Sequence, residues 1–220
     1  KAKVKVTIND VSDSLTVGEN TAVITLVCEA NGRPPANVHL MFGFGLGMNN
    51  ETSLGMHNVT VTFIIPQVTC DNMGIYTCAA DNGFPNPDKK SVQLKVQCSP
   101  RSASLLQPGT EDNPAKLTTG GLAFTLTSYP VPDTFLYTFY GNQHDATGDV
   151  VSSDMFSMQV TQVGASSFVD CELRPREIPA ERLGLYTVTM SNEIGSLSYY
   201  FIVNEQGTGS SSYYFIVNEQ

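Results

Sequence analysis

The chain carries short segments in which apolar and polar residues alternate, which is the pattern of β-strands that bury one face. These segments are Val4, Val6 and Ile8; Ala22, Ile24, Leu26 and Cys28; Val38, Leu40 and Phe42; Val92, Leu94 and Val96; Leu122, Phe124 and Leu126; and Phe135, Tyr137 and Phe139. The chain also has 18 glycines and 12 prolines, and no long segment shows the 3.6-residue period of an amphipathic helix. The pattern therefore predicts an all-β fold.

A more specific motif occupies residues 68–78. Asp71, Gly74, Tyr76 and Cys78 stand there at the spacing of strand F in an immunoglobulin domain, where a tyrosine begins the strand two residues before a core cysteine. The tyrosine hydroxyl of such a motif binds the backbone of the preceding corner. The motif resembles the immunoglobulin superfamily, and the resemblance implies a β-sandwich.

The same order of residues returns in the second half of the chain. Tyr186 follows Tyr76 by 110 positions, and Asn192 and Gly195 follow it as a turn would. Val188 stands where the core cysteine is expected. This half is similar to the intermediate set of immunoglobulin domains, without a core disulfide. The apolar residues of the neighbouring strands are expected to fill the space of the missing bridge.

The resemblance covers residues 1–206 and implies two tandem immunoglobulin-like β-sandwiches, residues 1–97 and 98–206. A chain of 220 residues accommodates two such units of roughly 100 residues each. The short junction predicts a semi-rigid rod. The first domain is also similar to invertebrate adhesion and immune-recognition ectodomains, molluscan ones especially.

Five cysteines bear on the fold and on the cellular compartment. The immunoglobulin resemblance implies an inter-sheet disulfide between Cys28 and Cys78. Four cysteines allow three pairings, but Cys70 and Cys98 would share the end of the sandwich that faces the second domain, so topology favours a Cys70–Cys98 bridge. Cys171 is left over, either as a buried free thiol or as a partner for a cysteine of another chain.

Two N-glycosylation sequons begin at Asn50 and Asn58. Together with a disulfide-bonded fold they indicate a glycoprotein that is secreted or exposed on the cell surface. Both lie between predicted strands C and E, and we expect this edge to carry glycans and to be separate from the binding face. Because residues 1–6 already have a strand pattern, we expect an ectodomain fragment whose leader and any anchor have been removed.

Charge and composition argue against several functions. The net charge of −9 disfavours nucleic acid and anionic lipid as partners, since both require a basic surface. This fragment has no run of 18 apolar residues, so the sequence predicts no membrane span in it. His39, His57 and His144 lack metal-ligand spacing, and no serine has the surroundings of a catalytic nucleophile. We expect no metal, no cofactor and no enzymatic activity.

What the resemblance implies is an extracellular protein-binding module in cell adhesion or self/non-self recognition. Its partner would be another cell-surface or secreted protein, or a second copy of the same chain in homophilic binding or a homodimer. The alternative is a secreted immune-recognition molecule, lectin-like or pathogen-binding, whose immunoglobulin domains act as a spacer or co-receptor.

Candidate partner-binding residues lie in loops of the first domain. The B–C loop, residues 31–36, contains Arg33, and the F–G loop, residues 81–88, contains Phe84 with prolines at 85 and 87 after it. Arginine and aromatic residues are enriched at binding hot spots, and loops on a rigid scaffold favour binding. Phe42 and Phe44, beside three glycines, either pack into the core or form an exposed apolar patch that binds a partner.

The end of the chain repeats itself. Residues 198–206, Ser-Tyr-Tyr-Phe-Ile-Val-Asn-Glu-Gln, recur as 212–220 after the spacer 207–211. The first copy is the expected last strand of the second domain. The second copy is either an artificial join or a duplicated strand that competes with the first, and we expect its residues 213–217 to pair with an exposed sheet edge.

Overall fold

A computed structural model describes residues 1–43, 57–104, 108–118, 120–141 and 147–204, together with the backbone of 46–49. The described residues form sixteen β-strands and three 3-10 helices of three residues each. None of these helices is long and apolar enough to cross a membrane.

The first domain contains the strands β1 (Lys3–Ile8), β2 (Ser14–Gly18), β3 (Ala22–Asn31), β4 (Asn37–Phe42), β5 (Leu46–Asn49), β6 (Asn58–Gln67), β7 (Gly74–Asp81) and the first half of β8 (Asp88–Ser102). The second domain contains the rest of β8 and the strands β9 (Ala115–Leu117), β10 (Leu122–Tyr129), β11 (Thr134–Gly141), β12 (Asp149–Val151), β13 (Phe156–Gln162), β14 (Phe168–Pro175), β15 (Gly184–Asn192) and β16 (Gly195–Val203). The 3-10 helices are Cys70–Asn72, Ser153–Met155 and Ala180–Arg182.

Each domain is a sandwich of two sheets. In the first domain, β1, β3 and β6 form one sheet, and β2, β8, β7, β4 and β5 form the other. In the second domain, β8, β10, β14 and β13 face the sheet β12-β11-β15-β16-β9. The pairs β2–β8 and β9–β16 are parallel, and the other pairs are antiparallel. The predicted tandem of all-β sandwiches is therefore confirmed.

The predicted alternation places the core of the first domain correctly, with one exception. Val4, Val6 and Ile8 of β1 and Val92, Leu94 and Val96 of β8 are buried, as are Ile24, Leu26 and Cys28 of β3. Ala22, which was expected on the same face, is exposed. It is the first residue of β3 and pairs with Gln67 at the end of β6, so it lies beyond the edge of the core.

The centre of the first domain is built around a disulfide. Cys28 of β3 and Cys78 of β7 are bonded, with their Cα atoms 5.7 Å apart. Leu40 lies beside Cys78 in the ladder between β4 and β7 and is 1% exposed. Leu40 rather than Phe42 therefore occupies the central strand C position that tryptophan takes in many immunoglobulin domains.

A tyrosine fixes the corner before the central strand in both domains. The hydroxyl of Tyr76 donates a hydrogen bond to the backbone oxygen of Asn72 at 2.9 Å, and the hydroxyl of Tyr186 donates one to the backbone oxygen of Arg182. Burial raises the pKa of the Tyr186 hydroxyl to about 12, so the group stays a donor throughout the physiological range. The F-strand interpretation of both stretches is confirmed.

Aromatic packing fills the core of the second domain, which has no disulfide among its described residues. Val188 of β15 is fully buried at the position of the absent cysteine, and Leu126 of β10 is fully buried on the opposing sheet. Tyr186 stacks on Phe201 at a centroid distance of 5.5 Å, and Phe156 meets both rings edge-on. Apolar side chains on both sheets thus replace the bridge, as predicted.

Cys171 is a free thiol on β14. It is 2% exposed and belongs to the core of the second domain, where its partner in the ladder is Phe124. Burial raises the pKa of this thiol to about 12, and the thiolate is the reactive form. The structure therefore fits the buried-thiol alternative and leaves no access for a bridge to another chain.

The disulfide of the first domain should matter to that domain alone. We expect the double substitution Cys28→Ala and Cys78→Ala to lower its free energy of unfolding by about 2–5 kcal/mol. The second domain should unfold at an unchanged temperature, because its core holds no bridge. Differential scanning calorimetry of the whole chain would separate the two transitions. A shift of the second transition as large as that of the first would contradict this expectation.

Candidate binding surface and domain junction

The B–C and F–G loops meet at one end of the first domain. The B–C loop connects β3 to β4, and the F–G loop connects β7 to β8. Because Asn37 pairs with Asp81 in the ladder between β4 and β7, the two loops emerge side by side. The side chain of Asn82 donates a hydrogen bond to the backbone oxygen of Pro34 at 3.0 Å, which ties the loops together directly.

The same asparagine also holds the start of the chain. Its Oδ1 accepts a hydrogen bond from the backbone nitrogen of Ala2 at 3.3 Å. Nearby, Asp88 Oδ2 accepts from the backbone nitrogen of Val4 at 2.9 Å. A Cβ added to Gly32 would lie only 3.0 Å from Ala2 Cα, so the B–C loop packs closely on the first residues. These contacts fix the backbone that carries the predicted anchors.

Arg33 and Phe84 are both exposed on this fixed end. Phe84 is 47% exposed, which is unusual for a ring with its apolar area, and it stands in the Phe-Pro-Asn-Pro segment of the F–G loop. Arg33 is exposed in the B–C loop. The two predicted anchors therefore belong to loops that Asn82 joins, and their role in binding stays a prediction.

Phe42 lies at the opposite end of the first domain. Its ring stands 4.7 Å from the ring of Tyr76, and a Cβ added to Gly74 would clash with it at 2.7 Å. Phe42 is half-buried and packs against the core, in agreement with the first of the two alternatives drawn from the sequence. Phe44 lies outside the described residues, so the apolar patch of the second alternative stays a prediction.

The sequon at Asn58 lies close to the B–C loop. Asn58 is the exposed first residue of β6 and pairs with Asn31, the first residue of that loop. Next to it, Gly32 donates a backbone hydrogen bond to the backbone oxygen of His57 at 3.0 Å. Asn58 therefore lies beside the loop end that carries the predicted anchors, and the separation of the glycan edge from the binding face stays a prediction. Asn50 lies outside the described residues.

Sequence reasoning missed an exposed apolar residue on a sheet face. Ile75 of β7 is 42% exposed on the outer face of the sheet formed by β2, β8, β7, β4 and β5. Met41 and His39 of β4 are half-buried on the same face. The alternation along β7 placed Tyr76 in the core and so pointed Ile75 outwards, but nothing in the sequence marked it as functional.

The junction between the domains is a single strand. β8 continues through the predicted boundary between residues 97 and 98, and its alternating burial extends from Val92 to Pro100. Before the boundary β8 pairs with β7, and after it β8 pairs with β10. Pro100 has no backbone N–H to donate, and the β10 register shifts opposite it.

A disulfide and an ion pair brace this strand. Cys98 of β8 is bonded to Cys70, which begins a 3-10 helix at the corner before β7, so the predicted Cys70–Cys98 bridge is present. Arg101 donates two hydrogen bonds to the Glu19 carboxylate, at 2.7 and 2.9 Å. Glu19 also accepts a hydrogen bond from the backbone nitrogen of Cys70 at 3.1 Å.

Further contacts between the domains surround this brace. The side chain of Tyr129 at the end of β10 packs against the core of the first domain. Gln97 donates a hydrogen bond to Glu193 at 3.0 Å. Asn192 donates to the backbone oxygen of Cys98 at 2.9 Å, which anchors the turn between β15 and β16 on β8. The junction is therefore a packed interface rather than a free linker.

Residues 6–96 match the family model of the immunoglobulin I-set domain. The whole chain resembles tandem immunoglobulin domains in solved structures. A chain from the complex of Dpr2 Ig1–Ig2 with DIP-Theta Ig1–Ig3 is 20% identical with a TM-score of 0.54, over 90% of this chain and 64% of that one. The titin tandem A164–A165 is 17% identical with a TM-score of 0.51, over 91% of this chain and 97% of that one.

Residues 6–96 thus match an immunoglobulin I-set domain, and the chain has the fold of tandem immunoglobulin domains. Among curated proteins, the human MAM domain-containing glycosylphosphatidylinositol anchor protein 2 is 33% identical over 99 residues. That alignment spans 44% of this immunoglobulin tandem and 10% of the human protein. Within the described residues of the tandem, no group of three or more histidine, cysteine, aspartate or glutamate residues is placed to hold a metal ion.

The Glu19–Arg101 ion pair gives the junction a defined response to pH. The hydrogen bonds from Arg101 lower the pKa of the Glu19 carboxyl below its usual 4.5, although partial burial opposes them. A carboxyl whose pKa is lower in the folded state than in the unfolded state stabilises the folded state at pH values above the unfolded pKa. This contribution is lost as the pH falls through the folded pKa. The wild-type junction should therefore loosen only below about pH 4.5.

Glu19→Gln should loosen the junction even at neutral pH, because an amide cannot form the ion pair with Arg101. Small-angle scattering from pH 7 down to pH 3 would report the spread of interdomain angles. Glu29→Gln is the matched control, since Glu29 forms an exposed ion pair with Lys5 on the outer face of the first domain. Equal scattering of Glu19→Gln and Glu29→Gln at pH 7 would contradict a bracing role.

Proposed function

We propose that this immunoglobulin tandem is an extracellular protein-binding module in cell adhesion or self/non-self recognition, and that it presents the loop end of its first domain to another protein. The observation that carries the proposal is the pair of loops joined through Asn82 with Phe84 exposed beside them. A fixed backbone lowers the entropy lost on binding, and an exposed aromatic ring offers apolar area at little conformational cost.

The two disulfides support an extracellular compartment. Cys28–Cys78 and Cys70–Cys98 are bonds that form and persist in oxidising environments, such as the secretory pathway and the cell surface. The human relative is named as a glycosylphosphatidylinositol anchor protein, which supports a cell-surface location for this chain as well. Asn58 is exposed and available to glycosylation in that compartment. The function requires neither a cofactor nor a catalytic residue.

The second candidate function is that of a spacer in a secreted immune-recognition molecule. The braced junction favours it, because a strand shared by two domains keeps a fixed distance and angle between the groups that are attached at the two ends of the tandem. The sequence of the full-length protein separates the candidates. A membrane span or lipid-anchor signal supports adhesion, and a carbohydrate-binding domain beyond the tandem supports the spacer.

Bead aggregation provides a direct test of self-binding. Beads coated with the tandem should aggregate if the contact is homophilic, and fluorescent tandem should instead stain cells that carry a partner if it is heterophilic. We expect Phe84→Ala combined with Arg33→Ala to reduce either signal at least tenfold, because such residues are the usual hot spots. Phe168→Ala is the matched control, since Phe168 is 44% exposed on the second domain.

Unchanged binding by the double variant would overturn the loop-end assignment, and the sheet end near Phe42 would become the site to test. Asn58→Gln should be compared in protein from a glycosylating host. A glycan at Asn58 stands beside Asn31, so its removal should strengthen binding if the loop end is the contact. Protein from a host that does not glycosylate should then bind as the Asn58→Gln variant does.

A further inference from the structure

β13 is an open edge of the sheet β8-β10-β14-β13 in the second domain. Among the described residues, only β14 pairs with it. Its seven residues, Phe-Ser-Met-Gln-Val-Thr-Gln, include no charge and no proline. Its register with β14 runs without a bulge from Phe156 to Gln162. An edge with these properties is open to pairing with another strand.

The other open edges of the described sheets are protected by charge, proline or short length, which are the usual ways of blocking an edge. β1 contains Lys3 and Lys5, β6 contains Pro66, the second half of β8 contains Pro100 and Arg101, β2 lies between Asp13 and Glu19, and β5, β9 and β12 have three or four residues each. Both sequons of the chain lie in the first domain, so no N-linked glycan shields β13.

Alternate residues of β13 direct their backbone groups away from β14. The backbone nitrogen of Val163 donates to the oxygen of Phe168 at 2.8 Å, just beyond one end of the strand. The backbone nitrogen of Arg176 donates to the oxygen of Met155 at 2.9 Å, just beyond the other end. Bonded and non-bonded residues alternate in an antiparallel pair, so the odd-numbered residues of β13 bond to β14. The even-numbered residues face the open edge.

The open edge therefore carries a row of backbone donors and acceptors. Met158, Val160 and Gln162 each direct an N–H and a C=O outwards, and no hydrogen bond from another described residue reaches these groups. The N–H of Phe156 already donates to the backbone oxygen of Ser153, so only its C=O faces the edge. Three donors and their matching acceptors are thus available to a further strand.

We propose that the second domain has a self-association site at β13, where two copies of the chain pair these strands antiparallel about a two-fold axis. An axis at Gln159 is the register that pairs all seven residues of both strands. Met158 of each copy then exchanges two backbone hydrogen bonds with Val160 of the other. The N–H of Gln162 reaches the oxygen of Phe156 of the second copy.

The side chains of β13 suit a partner of their own kind, which a two-fold axis requires. On the outer face Gln159 would meet Gln159, and Ser157 would meet Thr161. Amides and hydroxyls both donate and accept, so each of these pairs can form hydrogen bonds. On the inner face Met158 would meet Val160, and both already pack against the second core. The strand is thus complementary to itself, which favours a second copy over an unrelated strand.

The charge of the chain is compatible with this pairing. Two copies that each carry a net charge of −9 repel one another, so they can pair only where acidic residues stay apart. The nearest acidic side chains on the outer face are Asp170 and Glu172 of β14. They would lie three strand spacings from their counterparts, about 14 Å, which exceeds the Debye length at physiological salt.

Charge substitutions at the axis test the pairing in the full chain. Sedimentation velocity should detect a species of twice the chain mass. Gln159→Lys and Gln159→Glu should each weaken this dimer about fivefold or more, because like charges then face each other directly. Mixing the two variants should restore the dimer, because a lysine then faces a glutamate. Gln93→Lys is the matched control, since Gln93 points outwards from β8 between β2 and β7 in the first domain.

Disulfide trapping tests the register independently. Q159C should form a bridge between two copies, because the Cα atoms of such a pair lie about 4.5 Å apart, within the range that a disulfide spans. S157C and T161C should each stay reduced alone and should bridge when the two variants are mixed, since residue 157 faces residue 161 of the second copy. Intact mass and peptide mapping identify each bridge.

Three outcomes would overturn the proposal: a chain that is monomeric at every concentration, a dimer that Gln159→Lys leaves as strong as Gln93→Lys does, or bridging by S157C alone as efficient as that by Q159C. Weakening by both charged variants without recovery on mixing would also overturn it, because another segment would then occupy the edge. The repeated tail is such a segment. Residues 205–220 lie outside the described part of the chain, so the pairing of 213–217 with a sheet edge stays a prediction.

The β13 site is separate from the loop end of the first domain, and the two proposals can fail independently. Antiparallel pairing turns the two chains in opposite directions, which leaves both loop ends free. Bead aggregation that persists in the Phe84→Ala and Arg33→Ala double variant but is lost with Gln159→Lys would support β13 and count against the loop end as the homophilic contact. The reverse result would count against β13.

Discussion

The structure depends on the continuity of β8. One strand supplies the last ladder of the first sandwich and the first ladder of the second, and its side chains keep a single alternation through both. The ladder hydrogen bonds would allow some twisting by themselves. Cys70–Cys98 and Glu19–Arg101 attach the strand sideways to the first domain at the point where it leaves that domain. Orientation at the junction is thereby set by covalent and ionic contacts as well as by packing.

The two domains reach the same fold through different cores. In the first, a disulfide between Cys28 and Cys78 joins the sheets, and mostly aliphatic residues together with Tyr76 pack around it. In the second, Val188 replaces a cysteine, so no disulfide joins the sheets there, and the rings of Phe156, Tyr186 and Phe201 fill the interior. Interlocked rings gain dispersion and shape complementarity in place of a covalent restraint, so this core depends more on each side chain.

Much of the fold followed from local sequence rules. Period-two alternation located Leu40 in the core, and the spacing around Tyr76 and Tyr186 identified both corners, because each signal lies within a few residues. The Cys70–Cys98 bridge required the topology of the sandwich as well. The prediction for Ala22 was wrong, since alternation shows which face a residue shares but not where the opposing sheet ends.

The candidate site was harder to predict from the sequence than the fold. Loop composition indicated Arg33 and Phe84, but Asn82, which joins their loops, looked like any other turn residue. Glu19 and Arg101 are 82 positions apart, and spacing rules that operate over a few residues do not relate them.

The shared strand also restricts which insertions and deletions the sequence of β8 tolerates. Adding or removing one residue between Val96 and Cys98 would turn every later side chain of β8 to the opposite face, exposing what one domain buries or moving Cys98 away from Cys70. Only changes of two residues keep both faces in phase, and these would displace Arg101 from Glu19 by roughly 7 Å. The length of this junction is therefore held constant by geometry, whereas the loops at the far end of the first domain are free to diversify.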